Sequence, residues 1–253
     1  MRRAFFRAAI LLVSVASAAH AKTAFPEFVP GEAIEVAEVR DGASLRLADG
    51  RELRLAGIEA PSGKSAAAVA ARAKAALAKL ALRKPLELRY GEARTDRHGS
   101  VLAQLFAGGR WVERELVRRG LARVHGSADV RRGLDLLLAS EASARQARRG
   151  LWALASYAVR SADDAARYAG SFQIVEGTVV DAAAVAGNVY LNFGPDWHTA
   201  FSLRVGPAAL KLCRAAGLDP LELKGHALRV RGFIDGRNRP LIEVSFPEQI
   251  EKP

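Results

Sequence analysis

Cysteine is almost missing from this chain: Cys213 is its only one in 253 residues. No disulfide can form within the chain, so burial and hydrogen bonding must hold the fold even in an oxidising compartment. The lone thiol reads as a small core residue. Metal-ligand spacing is also missing. His125, His198 and His226 stand in no ligand pattern with one another or with Cys213, so no zinc site is expected. Gly42, Gly50 and Gly57 suit turns and close backbone approach, and do not form a phosphate-binding loop. The apolar run at residues 8–18 is too short to span a bilayer.

That run has a different context. Arg2, Arg3 and Arg7 precede or flank it, and Ala19-His20-Ala21 follows with small residues at the spacing a signal peptidase reads. Residues 1–21 are expected to be a signal peptide cut before Lys22, which makes the protein periplasmic or secreted and leaves no membrane span. Half of the residues are hydrophobic, so a packed core is expected and wholesale disorder is excluded.

Charge is unevenly placed. The formal net charge is +11, and residues 22–152 hold 24 Lys and Arg against 16 Asp and Glu, whereas residues 171–253 hold 9 against 9. The basic excess of the mature chain therefore lies in its first half. A polyanion such as single-stranded nucleic acid, or an anionic membrane surface, is the partner such a field attracts, and a solvated basic face is the plainer alternative.

Residues 33–62 organise the rest. Ile34, Val36 and Val39, then Leu45 and Leu47, then Leu53, Leu55 and Ile58 mark three alternating runs. Such alternation predicts half-buried strands. Asp41-Gly42 and Asp49-Gly50 separate the runs, and Asp-Gly supplies the positive φ of a tight hairpin. Pro61 ends the meander and suits the first turn of a helix. Alanine-rich residues 62–82 predict that helix, with Val69, Ala73, Ala76, Leu77 and Leu80 on one stripe. Strands follow at 86–90 and 101–106, then helices at 112–119 and 134–149. Trp111 and Trp152 read as core anchors.

In this order the chain resembles the staphylococcal nuclease (thermonuclease-like) domain family. The resemblance rests on Asp41-Gly42-Ala43-Ser44, on Arg54-Leu55-Ala56-Gly57-Ile58-Glu59-Ala60-Pro61-Ser62, and on Arg94-Thr95-Asp96-Arg97-His98-Gly99 with Leu102-Ala103. The helix from Val112 to Ala122 and the closing Gly150-Leu151-Trp152 extend it over residues 31–152. It implies an α+β fold, mainly β with helices, built on a five-stranded OB barrel. After a linker at 153–170, residues 171–253 carry strands at 172–180, 188–193, 201–205, 227–234 and 241–244 with a helix at 207–216. This second set predicts a small OB-like barrel. Tyr190, Phe193, Trp197 and Phe201 in it offer either core packing or a platform for stacked bases.

The resemblance also implies a site. In active members two aspartates hold calcium, a glutamate is the base, and two arginines stabilise the transition state. In this chain the first aspartate position is Ala43, the second is Glu59, the base position is Ser62, and the second arginine position is Ser100. Arg54 keeps the first arginine position. The candidate residues are therefore Arg54 for catalysis or substrate contact, Glu59 and Asp41 for calcium, Glu59 and His98 for catalysis, and Arg97 and His98 for substrate binding. A serine hydroxyl is too weak a base for phosphodiester hydrolysis, while a histidine can act as acid or base near neutral pH. His98 serves equally as a ring that packs the loop or touches substrate. The expected function is a non-catalytic nuclease-like protein that binds nucleic acid or another polyanion. The alternatives are a calcium-dependent phosphodiesterase with a rearranged site and a cell-envelope protein-interaction module.

Overall fold

The alternating stretches of the sequence become strands whose inward side chains are leucine and valine. A computed structural model describes residues 26–252, so the leader read at 1–21 lies outside the described residues. The first half contains β1 (Val29–Ile34), β2 (Val36–Val39), β3 (Ser44–Leu47), β4 (Glu52–Leu55), β5 (Ile58–Glu59), α1 (Ala67–Ala81), β6 (Leu86–Tyr90), β7 (Val101–Ala107), β8 (Arg110–Trp111), α2 (Val112–Arg118), β9 (Arg123–Val124) and α3 (Leu134–Gln146). The main path of hydrogen-bonded strands runs β1-β6-β7-β4-β3-β2. Only Glu35 separates β1 from β2, so both ends of the path lie on one bent stretch of chain. The β4–β7 pair is parallel and the other pairs along the path are antiparallel. Leu45, Leu47, Leu53, Leu55, Leu88 and Leu105 point inward and are buried.

The α1 stripe packs as its pattern requires: Val69, Ala73, Leu77 and Leu80 are buried. The small residues set the approach distance. A Cβ added at Gly42 would lie 2.7 Å from that of Ala73, so the turn before β3 and the helix touch backbone to backbone. Gly42 does not take the positive φ expected of Asp-Gly. Gly50 does, at 89°. Close approach, not turn handedness, is what requires glycine at 42.

The second half contains β10 (Arg160–Ser161), β11 (Phe172–Thr178), β12 (Asp181–Val185), β13 (Asn188–Asn192), β14 (Ser202–Val205), α4 (Pro207–Ala215), β15 (Ala227–Asp235), β16 (Leu241–Val244) and β17 (Ile250–Glu251). Its path is β10-β11-β15-β16-β14-β13-β12. Residues 179–180 alone separate β11 from β12, so β11 and β12 repeat the relation of β1 to β2. A parallel pair, β14 with β16, again joins the third strand to the fifth, and α4 follows the third strand as α1 does in the first half. The two halves thus share one strand order. The stretch 153–170 is more structured than a plain linker. It holds short 3-10 turns, and Arg160–Ser161 pairs in parallel with Val175–Glu176.

Two buried clusters meet at a seam. Ile174 and Phe246, from the second half of the chain, pack into the first cluster. Beside them Arg231 on β15 is 2% exposed. Its guanidinium donates to Glu141 on α3 at 2.5 Å, to Glu251 at 2.6 Å and to the Val124 carbonyl at 3.1 Å. Arg145, one turn along α3, pairs with both of the same carboxylates. Among the described residues no helix is long and apolar enough to cross a membrane.

Candidate functional site

Sheet register assembles the candidate residues. On β4 the inward Leu53 and Leu55 leave Arg54 facing out. Arg54 stands opposite Ser44 on one side and Leu102 on the other. The first pairing brings the 41–43 turn alongside it, and the second brings the 95–100 loop. The chain then passes through Glu59 to Pro61 and Ser62. These segments enclose an open cavity of about 580 Å³ whose lining includes Asp41, Ala43, Arg54, Glu59, Ser62, Asp96, His98 and Ser100. Asp41, Arg54, Glu59 and His98 therefore share one cavity. Arg97 does not line it; it faces an adjoining cavity of about 360 Å³ together with Arg54, His98 and His125.

The groups inside differ in how free they are. The Asp41 carboxylate accepts the Ala43 N–H at 2.7 Å and so caps its own turn. Asp96 accepts the N–H groups of His98 at 2.8 Å and Ser100 at 3.0 Å, which shapes the loop. Burial raises its pKa, but those bonds and the charges of His98 and Arg54 outweigh this and lower it. Arg97 Nε donates to His98 Nε2 at 3.0 Å. Ser62 presents its N–H to the Tyr157 hydroxyl at 2.9 Å. Arg54 makes no hydrogen bond or ion pair with a side chain among the described residues.

Glu59 is the most constrained. The short β5–β9 ladder sets it opposite Arg123. Two guanidinium nitrogens reach its Oε2 at 2.7 and 2.6 Å, and His125 Nδ1 lies 3.6 Å from the same oxygen. Arg123 is itself held over the rings of Phe172, at 4.4 Å, and Tyr157, at 5.4 Å. Burial would raise the Glu59 pKa, but the bond to His125 and the charges of Arg123 and His125 outweigh it and hold the carboxyl at about 2. Arg123 and His125 are the residues that the sequence reading missed. Their signal was the alternation around buried Val124, which sends both side chains to one face.

These residues do not fit a calcium ion. Ala43 brings no side-chain oxygen and its carbonyl accepts the Leu55 N–H, one Asp41 oxygen is committed to a backbone N–H, and Glu59 is neutralised by its own cations. No group of three acidic, histidine or cysteine side chains among the described residues could hold a metal. Calcium sites need six or more oxygens, which this set of side chains does not supply.

A second charged feature lies away from this cavity. Arg72 and Lys79 on α1, Arg118 and Arg119 at the end of α2, and Arg148 and Arg149 after α3 line a cleft of about 700 Å³. Arg118 and Arg119 share Glu115. Arg72, Lys79 and Arg148 have no ion pair among the described residues.

No curated protein matches the chain. Residues 52–154 match the family described as staphylococcal nuclease homologue. The match takes in Arg54, Glu59, the 94–100 loop and all of α1 to α3. Most of the cavity is thus built on a part of the chain that is similar to the staphylococcal nuclease domain.

Proposed function

We propose that this protein is a nuclease-like binder of nucleic acid or another polyanion that has lost the family's hydrolytic chemistry, and that it is exported by the leader at 1–21. The state of Glu59 carries the reading. A general base works best with a pKa near the working pH. A carboxylate at about 2, clamped by Arg123, is a poor base and a poor metal ligand. Ser62 cannot replace it, and Ser100 supplies no charge for a transition state. Arg54 remains available to a phosphate, and the basic cleft adds free cations. Phosphate contacts by such groups release counterions, so affinity falls with salt.

The test uses the purified mature chain with a labelled single strand, in calcium and in chelator. The reading expects no cleavage in either condition and binding that weakens steeply as salt rises. Salt-independent binding, or none, removes it. The grouping of Asp41, Arg54, Glu59 and His98 in one cavity favours a second reading, hydrolysis by a rearranged site. That reading expects cleavage abolished by both Arg54→Ala and Glu59→Ala.

A further inference from the structure

The second half of the chain exposes aromatic rings where its core has no use for them. Phe193 and Phe201, two of the four rings singled out in the sequence, are core: they are 7% and 2% exposed and pack at 5.1 Å. The other two are not. Trp197 is 54% exposed in the loop between β13 and β14, and Tyr190 lies on the outer side of β13. Phe233 on β15, 59% exposed, joins the same side of the molecule. The strand register sets Tyr190 opposite Arg204, and Arg204 opposite Glu243. Tyr190, Arg204, Phe233, Arg237 and Arg239 line an open cavity of about 680 Å³.

Arg239 ties the aromatic groups together. Its guanidinium lies 5.4 Å from the ring centres of both Tyr190 and Trp197, and it donates to the Trp197 carbonyl at 2.6 Å. It has no carboxylate partner among the described residues. Arg204 and Arg237 each pair with an acid, Glu243 and Asp235. Three rings interleaved with three guanidinium groups match one class of molecule in particular. A single strand of nucleic acid offers free base faces alternating with phosphates, whereas a duplex keeps its base faces stacked inside. Cleft-bearing sheet faces of OB-type strand order serve such strands elsewhere.

We infer that the face formed by Tyr190, Trp197, Phe233 and Arg239 is a binding site for single-stranded nucleic acid, with bases stacked on the rings and phosphates met by the arginines. This rests on the nucleic-acid reading above and assigns it a place outside the nuclease-like cavity. Trp111 and Trp152 are buried, at 3% and 9% exposure, so Trp197 is the indole that a stacked base reaches.

The experiment uses the full mature chain and an oligothymidine of about 15 nucleotides, within the span that such folds cover. Indole fluorescence and the anisotropy of a labelled strand are followed together. The expected result is quenching on binding, lost in Trp197→Phe while anisotropy still reports binding. Phe233→Ala and Tyr190→Ala each weaken binding by about 5- to 100-fold, as loss of a stacked base does, and Phe233→Tyr restores it. A duplex of equal length binds more weakly than the single strand. Trp197 and Phe233 are exposed and Tyr190 is half-buried, and unchanged thermal midpoints confirm that the variants fold. Binding that is indifferent to both Phe233→Ala and Tyr190→Ala, or equal for duplex and single strand, overturns this inference and leaves the polyanion reading standing on the basic cleft. No binding by the unaltered chain at low salt overturns both.

Discussion

Glu59 and Glu113 are two carboxyl groups whose surroundings push them in opposite directions. Glu59 is held at about 2 against an ordinary 4.5, so the native state keeps its charge where the unfolded chain takes up a proton. Its pairing stabilises the fold above about pH 4.5 and is lost as pH falls toward 2; the shift corresponds to on the order of 3 kcal/mol, less what solvent screens at a partly exposed pair. Glu59→Gln should therefore be less stable than the parent at pH 7, with the gap narrowing below pH 4.5 and closing only as pH falls to about 2, as read by urea unfolding. Glu113 is fully buried and accepts the Leu105 N–H at 2.9 and 3.2 Å. Burial raises its pKa well above 4.5, and the bonds it accepts recover only part of that. Above about pH 4.5 the unfolded chain gives up a proton that the native state retains, so stability declines as pH rises through this window. Glu113→Gln keeps an acceptor and removes the decline. Its stability relative to the parent should grow between pH 5 and pH 7 in the same assay.

Among the elements, the strands and α1 were legible because each buries one face and writes that burial as a local period. The bend at Glu35 was not, since nothing in 33–39 separates a straight strand from one that serves two ends of a sheet path. The 153–170 stretch carries no period, and its 3-10 turns and short strand form only against β11. The site was legible as positions and not as states: Arg54 and Glu59 follow from the motif, but the clamp on Glu59 comes from Arg123, 64 residues away. Arg231 was least legible. Alternation along β15 turns it away from its own core, and α3 and β9 of the other half, with Glu251, bury it. Replacing it tests that account. Arg231→Ala leaves Glu141 and Glu251 to share Arg145 alone, an unbalanced carboxylate in the buried seam, a loss of roughly 3–5 kcal/mol measurable by calorimetry. Gly42→Val tests the contact of turn and helix, since the added carbons must push α1 off the sheet. It should cost about 1–3 kcal/mol in the same measurement.

For the whole molecule, the charge asymmetry of the sequence has a location. The first half concentrates free cations in the cleft between α1, the end of α2 and the end of α3, while the second half presents rings in a nearly neutral setting. Reversing Arg72, Lys79 and Arg148 to glutamate should flatten the dependence of log affinity on log salt by about 2, given roughly 0.7 per phosphate contact on a single strand. A titration at four salt concentrations decides it. A slope that does not change places the phosphate contacts elsewhere.

The buried link between Glu141, Arg145, Arg231 and Glu251 also bears on how such a chain can be inherited. A crossover that joined the nuclease-like part to a foreign tail would remove Arg231 and Glu251 together, leave Glu141 with Arg145 alone, and strip Ile174 and Phe246 from the first core. The halves are therefore not exchangeable cassettes. A lineage that keeps one must keep the other or rebuild the face that Ile174, Phe246 and Arg231 cover in the same step.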